Sequence, residues 1–109
     1  MEITEQQVGN CMIAILNGRL DTSTAPAAEV KILEMLTSAG KVCADMAQVS
    51  YVSSAGLRVL LRAAKDAKKA GGFFSIASPQ PSVIEVLNIS GFNKVLQIYE
   101  TVEAAAQAA

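Results

Sequence analysis

Short apolar runs alternate with amphipathic helical segments along most of this chain, and this alternation restricts the folds open to it. Two extended segments come first, at residues 2–8 and 11–17, separated by Gly9–Asn10, a pair typical of tight hairpin turns. Helices and strands then alternate, which predicts the order β-β-α-β-α-β-α-β-α. This order favours an α/β fold with a mixed, mostly parallel sheet of about five strands, right-handed crossovers and helices packed on the sheet.

Turn and capping residues place the boundaries of these segments. The first helix is expected to begin after the hydroxyl residues 22–24 and to run to about Ser38, with Gly40 ending it. Its core face is expected to carry Val30 and Leu33, joined by Ile32, Met35 and Leu36. The other predicted elements are a strand at 41–46, a helix ending at Lys69, a strand at 73–77, a helix opened by a Ser82–Glu85 capping box and ending near Gly91, a strand at 95–99, and a weakly held alanine-rich helix from Thr101.

The composition of the chain fits one folded domain, residues 1–109, with 51% hydrophobic and 17% charged residues. A net charge of −1 lacks the basic excess of a nucleic-acid-binding protein. No apolar run approaches the roughly 20 residues that a membrane helix needs, and Met1–Glu5 does not resemble a basic leader, so we expect a cytoplasmic protein without a membrane partner.

Five cations lie on one predicted helix, where a solvated face is the simplest interpretation: Arg58, Arg62, Lys65, Lys68 and Lys69.

Histidine is absent from the chain, which excludes catalytic relays, phosphotransfer and metal sites that depend on imidazole. Cys11 and Cys43 lie inside apolar runs, where buried free thiols are expected, and no metal-ligand spacing is present. There is no glycine-flanked nucleophile and no phosphate-binding glycine motif. We therefore predict no catalytic residue, no metal and no cofactor, and a protein that is not an enzyme.

Two adjacent serines, Ser53 and Ser54, stand where an apolar segment becomes a helix. One of them is expected to be the N-cap, which is the simplest explanation of a serine at this position. A phosphate would also be tolerated there, because the unpaired N–H groups and the positive end of the helix dipole face outward. Asp21 follows a predicted strand and Asp45 stands at the end of the next one, so these acids and the serines are expected to share one edge of the sheet.

The segments Ala44–Met46 and Val49–Leu57 resemble the STAS domain of bacterial anti-sigma factor antagonists. The resemblance extends along the whole chain. It includes the Asn17–Asp21 turn, the Gly71–Gly72 break before a strand, and the Ile89–Phe92 segment. Together, and in this order, these motifs are specific, and they imply the STAS fold.

The resemblance also implies a function. In that family a serine at the start of the second helix is phosphorylated by a partner that is both a serine kinase and an anti-sigma factor. Aligned on Gly56–Leu57, the phosphoacceptor corresponds to Ser54, with Ser53 the less favoured alternative. The unmodified protein would bind the kinase and release the sigma factor, phosphorylation would end this binding, and a phosphoserine phosphatase would restore it.

Asp45 matches the acid that ends the third strand in the family, and its carboxylate could accept hydrogen bonds from the following turn, so we expect it to support the serine loop. Asp21 matches a family position at the partner surface, with the alternative that it only ends its strand. The partner-binding residues implied by the resemblance are Asp21, Ser53, Ser54, Ala55, Gly56, Leu57 and Arg58. Many members have Asp-Ser-Ser-Gly where this chain has Ser-Ser-Ala-Gly, so the acid before the phosphoacceptor is missing and the second serine is alanine.

Two alternative functions stay open at this point. One is a phosphorylation-independent STAS subunit of a transport or stress-sensing assembly, in which Ser54 has no role beyond helix capping. The other is a two-component receiver domain that uses Asp45 as phosphoacceptor. A receiver needs further acids after the first strand and a lysine after the last, whereas Lys94 precedes the final predicted strand.

Overall fold

The computed structural model describes residues 1–109, and its elements follow the predicted alternation of strands and helices. In chain order they are β1 Glu2–Val8, β2 Cys11–Leu20, α1 Ala25–Ala39, β3 Lys41–Val52, α2 Ser54–Lys69, β4 Phe73–Ala77, α3 Pro81–Ser90, a 3₁₀ turn at Phe92–Lys94, β5 Gln97–Tyr99 and α4 Val102–Ala108. The predicted fold class, an α/β fold of about five strands, is confirmed.

The five strands form one sheet in the order β1-β2-β3-β4-β5. β1 and β2 are antiparallel, as the Gly9–Asn10 turn predicts, and every other neighbouring pair is parallel. In a parallel sheet the carboxyl ends of the strands meet at one edge. The segments that follow β2 and β3 therefore lie side by side.

The main core lies between one face of the sheet and the helices α1, α2 and α3, and it contains 22 buried residues. Within α1 the buried side chains include Ala28, Ile32 and Met35, which repeat at helical spacing. Val30 is 58% exposed, so its predicted place in the core is wrong. Two residues after Ala28, it is rotated by about 200° around the helix axis and faces solvent.

α4 packs against the opposite face of the sheet. Its Ala105 is fully buried in a second cluster that also contains Cys11, Ile13, Cys43 and Ala77. The expectation of a weakly held terminal helix is therefore wrong, because small alanine side chains let the helix backbone approach the sheet. Both cysteines are free and buried, as predicted, and burial raises the pKa of the Cys43 thiol to about 11.

Three predicted boundaries differ from the structure. β2 does not end at Asn17 and β3 does not end at Met46, because their later residues pair with each other across register shifts, down to Leu20 opposite Val52. β5 begins at Gln97, since Phe92–Lys94 form a 3₁₀ turn.

The Ser82–Glu85 capping box is absent. α3 begins at Pro81 with Gln80 at the N-cap position, and no side chain caps it. The side-chain amide of Gln80 donates to the Ala47 carbonyl at 2.9 Å instead. This bond ties the start of α3 to β3.

Candidate functional site

The serine junction lies directly beside the carboxyl end of β2. The Ser53 amide donates to the Leu20 carbonyl at 2.9 Å, so the chain leaving β3 is fastened to the last residue of β2. One position earlier, Arg19 lies opposite Tyr51 in the sheet. The late pairing of β2 with β3 therefore fixes where α2 begins.

Ser53 is the N-cap of α2. Its backbone is extended, and its hydroxyl accepts a hydrogen bond from the Gly56 amide at 3.2 Å. Its carbonyl accepts the first helical bond, from the Leu57 amide at 2.9 Å. The capping role that the sequence left open between two serines falls on Ser53.

Ser54 is the first residue of α2, and its side chain is exposed. Its hydroxyl makes no hydrogen bond to the protein, in contrast to the hydroxyl of Ser53. The first turn of a helix presents unpaired N–H groups and the positive end of the helix dipole. Ser54 is thus an accessible nucleophile in surroundings that favour an attached anion.

Gly56 allows α2 to start this close to the sheet. A β-carbon at this position would lie 2.6 Å from the Leu20 carbonyl oxygen and 2.8 Å from the Leu20 Cγ. It would also lie 3.1 Å from a methyl group of Val52. The helix could not keep its place beside β2 with any larger residue here.

Asp21 forms a compact turn between β2 and α1. Its carboxylate accepts hydrogen bonds from the Ser23 hydroxyl at 2.8 Å, from the Ser23 amide at 3.0 Å and from the Thr24 amide at 3.1 Å. These bonds, with that from the Ser23 hydroxyl first, hold the pKa of the Asp21 carboxyl below its usual value. The turn therefore presents a charged carboxylate in a fixed orientation.

Arg19 and Tyr51 form a neighbouring pair that the sequence analysis missed. The guanidinium of Arg19 lies 4.4 Å from the ring centroid of Tyr51, and its Nε is 3.7 Å from an Asp21 carboxylate oxygen. Both side chains are exposed. They meet because of the register between β2 and β3, and local sequence carries no signal for that register.

The predicted partner-binding residues differ in how far their side chains are exposed to solvent. Ser54 and Arg58 are exposed, and Asp21, Ser53 and Ala55 are half-buried. Gly56 and Leu57 are buried beneath them. Gly56 and Leu57 support this surface by packing beneath it and contribute no exposed side chain to it.

Asp45 lies inside β3, opposite Ile15 of β2 and Ala77 of β4, and not at the end of the strand as predicted. Its carboxylate accepts a hydrogen bond from the Ala47 amide at 3.1 Å. It makes no bond to the serine turn. Asp45 therefore supports the irregular stretch of β3 that follows it.

The sheet excludes the receiver-domain alternative. Receiver sheets have the strand order 2-1-3-4-5, whereas this sheet runs in sequence order and opens with an antiparallel pair. No group of three acidic, cysteine or histidine side chains in the structure could hold a metal ion beside Asp45.

None of the helices combines the length and apolar character needed to cross a bilayer.

Comparison with known proteins agrees with this geometry. The STAS domain model matches residues 2–105. A protein of Bordetella bronchiseptica named as an anti-sigma factor antagonist, BtrV, is 32% identical over 109 residues, covering 99% of this chain and 94% of BtrV. A protein of Thermotoga maritima named as an anti-sigma factor antagonist has the same fold, with a TM-score of 0.90 at 22% identity over 97% of this chain and 92% of its own.

The Bacillus cell fate determinant SpoIIAA in its phosphorylated form has this fold as well. Its TM-score is 0.72 at 17% identity, covering 99% of this chain and all of SpoIIAA. The match to the family model spans nearly the whole chain, and the relative from Bordetella aligns along its full length. The chain therefore belongs to the STAS domain family and is a homologue of the anti-sigma factor antagonists within it.

Proposed function

We propose that this protein is a cytoplasmic anti-sigma factor antagonist that acts as a single regulatory domain. While Ser54 is unphosphorylated, the protein binds a serine-kinase anti-sigma factor, and the sigma factor held by that kinase is released. Phosphorylation of Ser54 ends the binding, and a phosphoserine phosphatase restores it. The protein is thus a substrate of enzymes and performs no catalysis itself.

The different environments of the Ser53 and Ser54 hydroxyls support this proposal. Ser53 caps the helix through its bond to the Gly56 amide, while the exposed Ser54 hydroxyl bonds to nothing in the protein. Modification of Ser54 would leave the cap in place. The surface could therefore change its charge while the fold stays intact.

A phosphate on Ser54 would act locally. It adds about 1.5 to 2 negative charges and three acceptor oxygens at the first turn of α2. Inside the protein the helix dipole offsets this charge. At an interface the phosphate adds bulk and must lose water, and loss of a few kcal/mol lowers affinity by orders of magnitude.

The contact surface that we propose, here called the serine-turn surface, consists of Asp21, Ser53, Ser54, Ala55 and Arg58. Asp21 offers the partner a carboxylate whose orientation is fixed by three hydrogen bonds. Such a preorganised acceptor loses little side-chain entropy when it binds a cation of the partner. Gly56 and Leu57 hold this surface in place from below.

Substitution of Ser54 tests the proposal. Ser54→Ala should bind the anti-sigma factor constitutively, and Ser54→Asp should bind it at least about tenfold more weakly, because the carboxylate reproduces part of the phosphate charge. Affinities are measured by calorimetry with the purified partner. Ser82→Asp is the matched control, since Ser82 is also exposed in the first turn of a helix, α3.

The modification itself is mapped by mass spectrometry after incubation with the kinase and ATP. Phosphate on Ser54 supports the proposal, and phosphate on another residue contradicts it. Equal binding by Ser54→Ala and Ser54→Asp would instead favour a phosphorylation-independent binding subunit.

A further inference from the structure

Ser54 begins a row of cations on the outer face of α2. Arg58, Arg62, Lys65 and Lys69 follow it at intervals of four, four, three and four residues. At 3.6 residues per turn these side chains fall on one face, and at 1.5 Å per residue the row is about 22 Å long. With the neighbouring Lys68, the five cations are called the basic stripe below.

Charge is distributed unevenly between α2 and the rest of the protein. The helix carries five of the nine Lys and Arg residues and only one of the ten acids, Asp66. Because the whole chain has a net charge of −1, the remainder of the molecule is acidic. The basic stripe is therefore a local feature of one helix face.

Most of the stripe has no partner within the protein. Arg62 forms ion pairs with Glu29 and with Asp66. The other four cations are exposed and take part in no ion pair or side-chain hydrogen bond: Arg58, Lys65, Lys68 and Lys69. These four charges are therefore available to interact with a binding partner.

Helix stability alone does not explain the whole stripe. Lys68 and Lys69 lie in the last turn, where the helix dipole favours cations. Arg58 lies near the opposite end, where the dipole disfavours them. Lys65 and Lys69 are like charges four residues apart, an arrangement that weakens a helix.

We infer that the basic stripe continues the serine-turn surface and docks an acidic protein surface on the partner, next to the cation that Asp21 would bind. The inference rests on the proposed function, because both surfaces must face the same partner. Stable protein interfaces cover about 800 Å² on each side. Such an interface takes about 20–30 residues a side, far more than the five residues of the serine-turn surface, and the outer face of α2 continues directly from them.

Charge and burial distinguish a protein partner from other polyanions. The rest of the molecule is acidic and would be repelled by the long polyanion of DNA or RNA. The apolar side of α2, including Leu57 and Leu60, is buried in the core and unavailable to a lipid surface. A compact acidic patch on a protein fits a cationic row about 22 Å long.

This arrangement also explains how phosphorylation would act on docking. Because Ser54 lies at the N-terminal end of the stripe, a phosphate there offsets up to about two of its five positive charges. The phosphate would also face the acidic surface of the partner. Repulsion then opposes docking along the same face that attracts the partner when Ser54 is unmodified.

Charge reversal far from Ser54 tests the inference. The probe is the purified anti-sigma factor that binds the Ser54→Ala variant, and its association is followed by stopped-flow fluorescence from 20 to 300 mM salt. Lys65→Glu should slow association about tenfold at low salt, flatten the salt dependence and leave the dissociation rate nearly unchanged. Lys94→Glu is the matched control, an exposed, unpaired lysine outside the stripe, and Lys65→Arg should behave as the parent.

The outcomes separate this inference from the proposed function. If Ser54→Asp weakens binding while Lys65→Glu associates as fast as Lys94→Glu, the stripe inference is wrong and the function stands. If the unmodified protein binds no anti-sigma factor, both are wrong. Stripe-dependent binding to a 20-base-pair DNA duplex or to phosphatidylglycerol vesicles, or a dimer lost in Lys65→Glu, would also overturn the assignment to an acidic partner protein.

Discussion

At the scale of single residues, two adjacent serines have different roles because of helix geometry. The hydroxyl of Ser53 points back to the Gly56 amide and completes the helix. Ser54, one residue later, is turned by about 100° and faces outward. Sequence alone could not tell which serine caps, since both are good N-cap residues and the answer depends on where β3 stops pairing with β2.

Gly56 is a residue at which a single added methyl group should lower stability. Gly56→Ala would place its β-carbon 2.6 Å from the Leu20 carbonyl oxygen, which belongs to a paired strand and cannot yield. We expect a loss of about 1–3 kcal/mol in the free energy of unfolding, the cost typical of overpacking. Inside an unobstructed helix the same change would stabilise by about 0.5–1 kcal/mol.

Urea unfolding of Gly56→Ala and the parent protein measures this difference. Ala55→Gly, at the neighbouring position, reports the effect of helix propensity without a new contact and should cost about 1 kcal/mol. A Gly56→Ala variant as stable as the parent would show that α2 can shift away from β2. The close approach would then not be required by the fold.

At the scale of elements, α4 covers part of one sheet face, although its alanine-rich composition suggests a weakly held helix. Its alanines contribute little volume, yet Ala105 covers the cluster that contains Cys11, Ile13 and Cys43. Without this helix, part of the second sheet face would be open to water. Burial of the Ala105 side chain therefore contributes more to the packing of α4 than helix propensity does.

Ala105→Asp should open this cluster. Placing a carboxylate at a fully buried position with no partner should lower the free energy of unfolding by at least about 2 kcal/mol. Cys43, in the same cluster, should then react faster with a thiol reagent. Ala108→Asp, at an exposed position of the same helix, should change neither quantity, and equal effects of the two substitutions would mean that α4 is not a cover.

At the scale of the whole molecule, the buried thiols should make the free energy of unfolding depend on pH in the alkaline range. The pKa of Cys43 is about 11 in the folded protein, compared with about 8.5 for an unfolded cysteine. Between these values the unfolded chain loses the thiol proton and the folded protein keeps it. Stability that is fully present below about pH 8.5 should therefore decrease as the pH rises toward 11.

Urea midpoints at pH 7.5, 8.5 and 9.5 measure this decrease. Cys43→Ala removes the titrating thiol, so the variant should lose less stability over this range than the parent, whatever its stability at neutral pH. An equally steep decline in the variant would assign the pH dependence to another group. Cys11, whose thiol pKa is also raised by burial, is the first alternative.

The sequence by itself determined the order of strands and helices, the hairpin, the end of α1 at Gly40 and the bounds of β4. Each depends on residues within one turn or one short run, so local periodicity and turn chemistry are sufficient. The STAS resemblance came from the same local motifs. The place of Ser54 at the start of a helix was also readable, because it needs no distant residue, whereas its phosphorylation stays a prediction.

Only the tertiary structure decided the features that depend on contacts between distant parts of the chain. Pairing of β2 with β3 extended both strands, brought Arg19 over Tyr51 and left Asp45 inside the sheet. Packing against the sheet turned Val30 outward and buried Ala105. Register and packing are set by side chains that meet only after the chain has folded, and that is the reason local patterns could not show them.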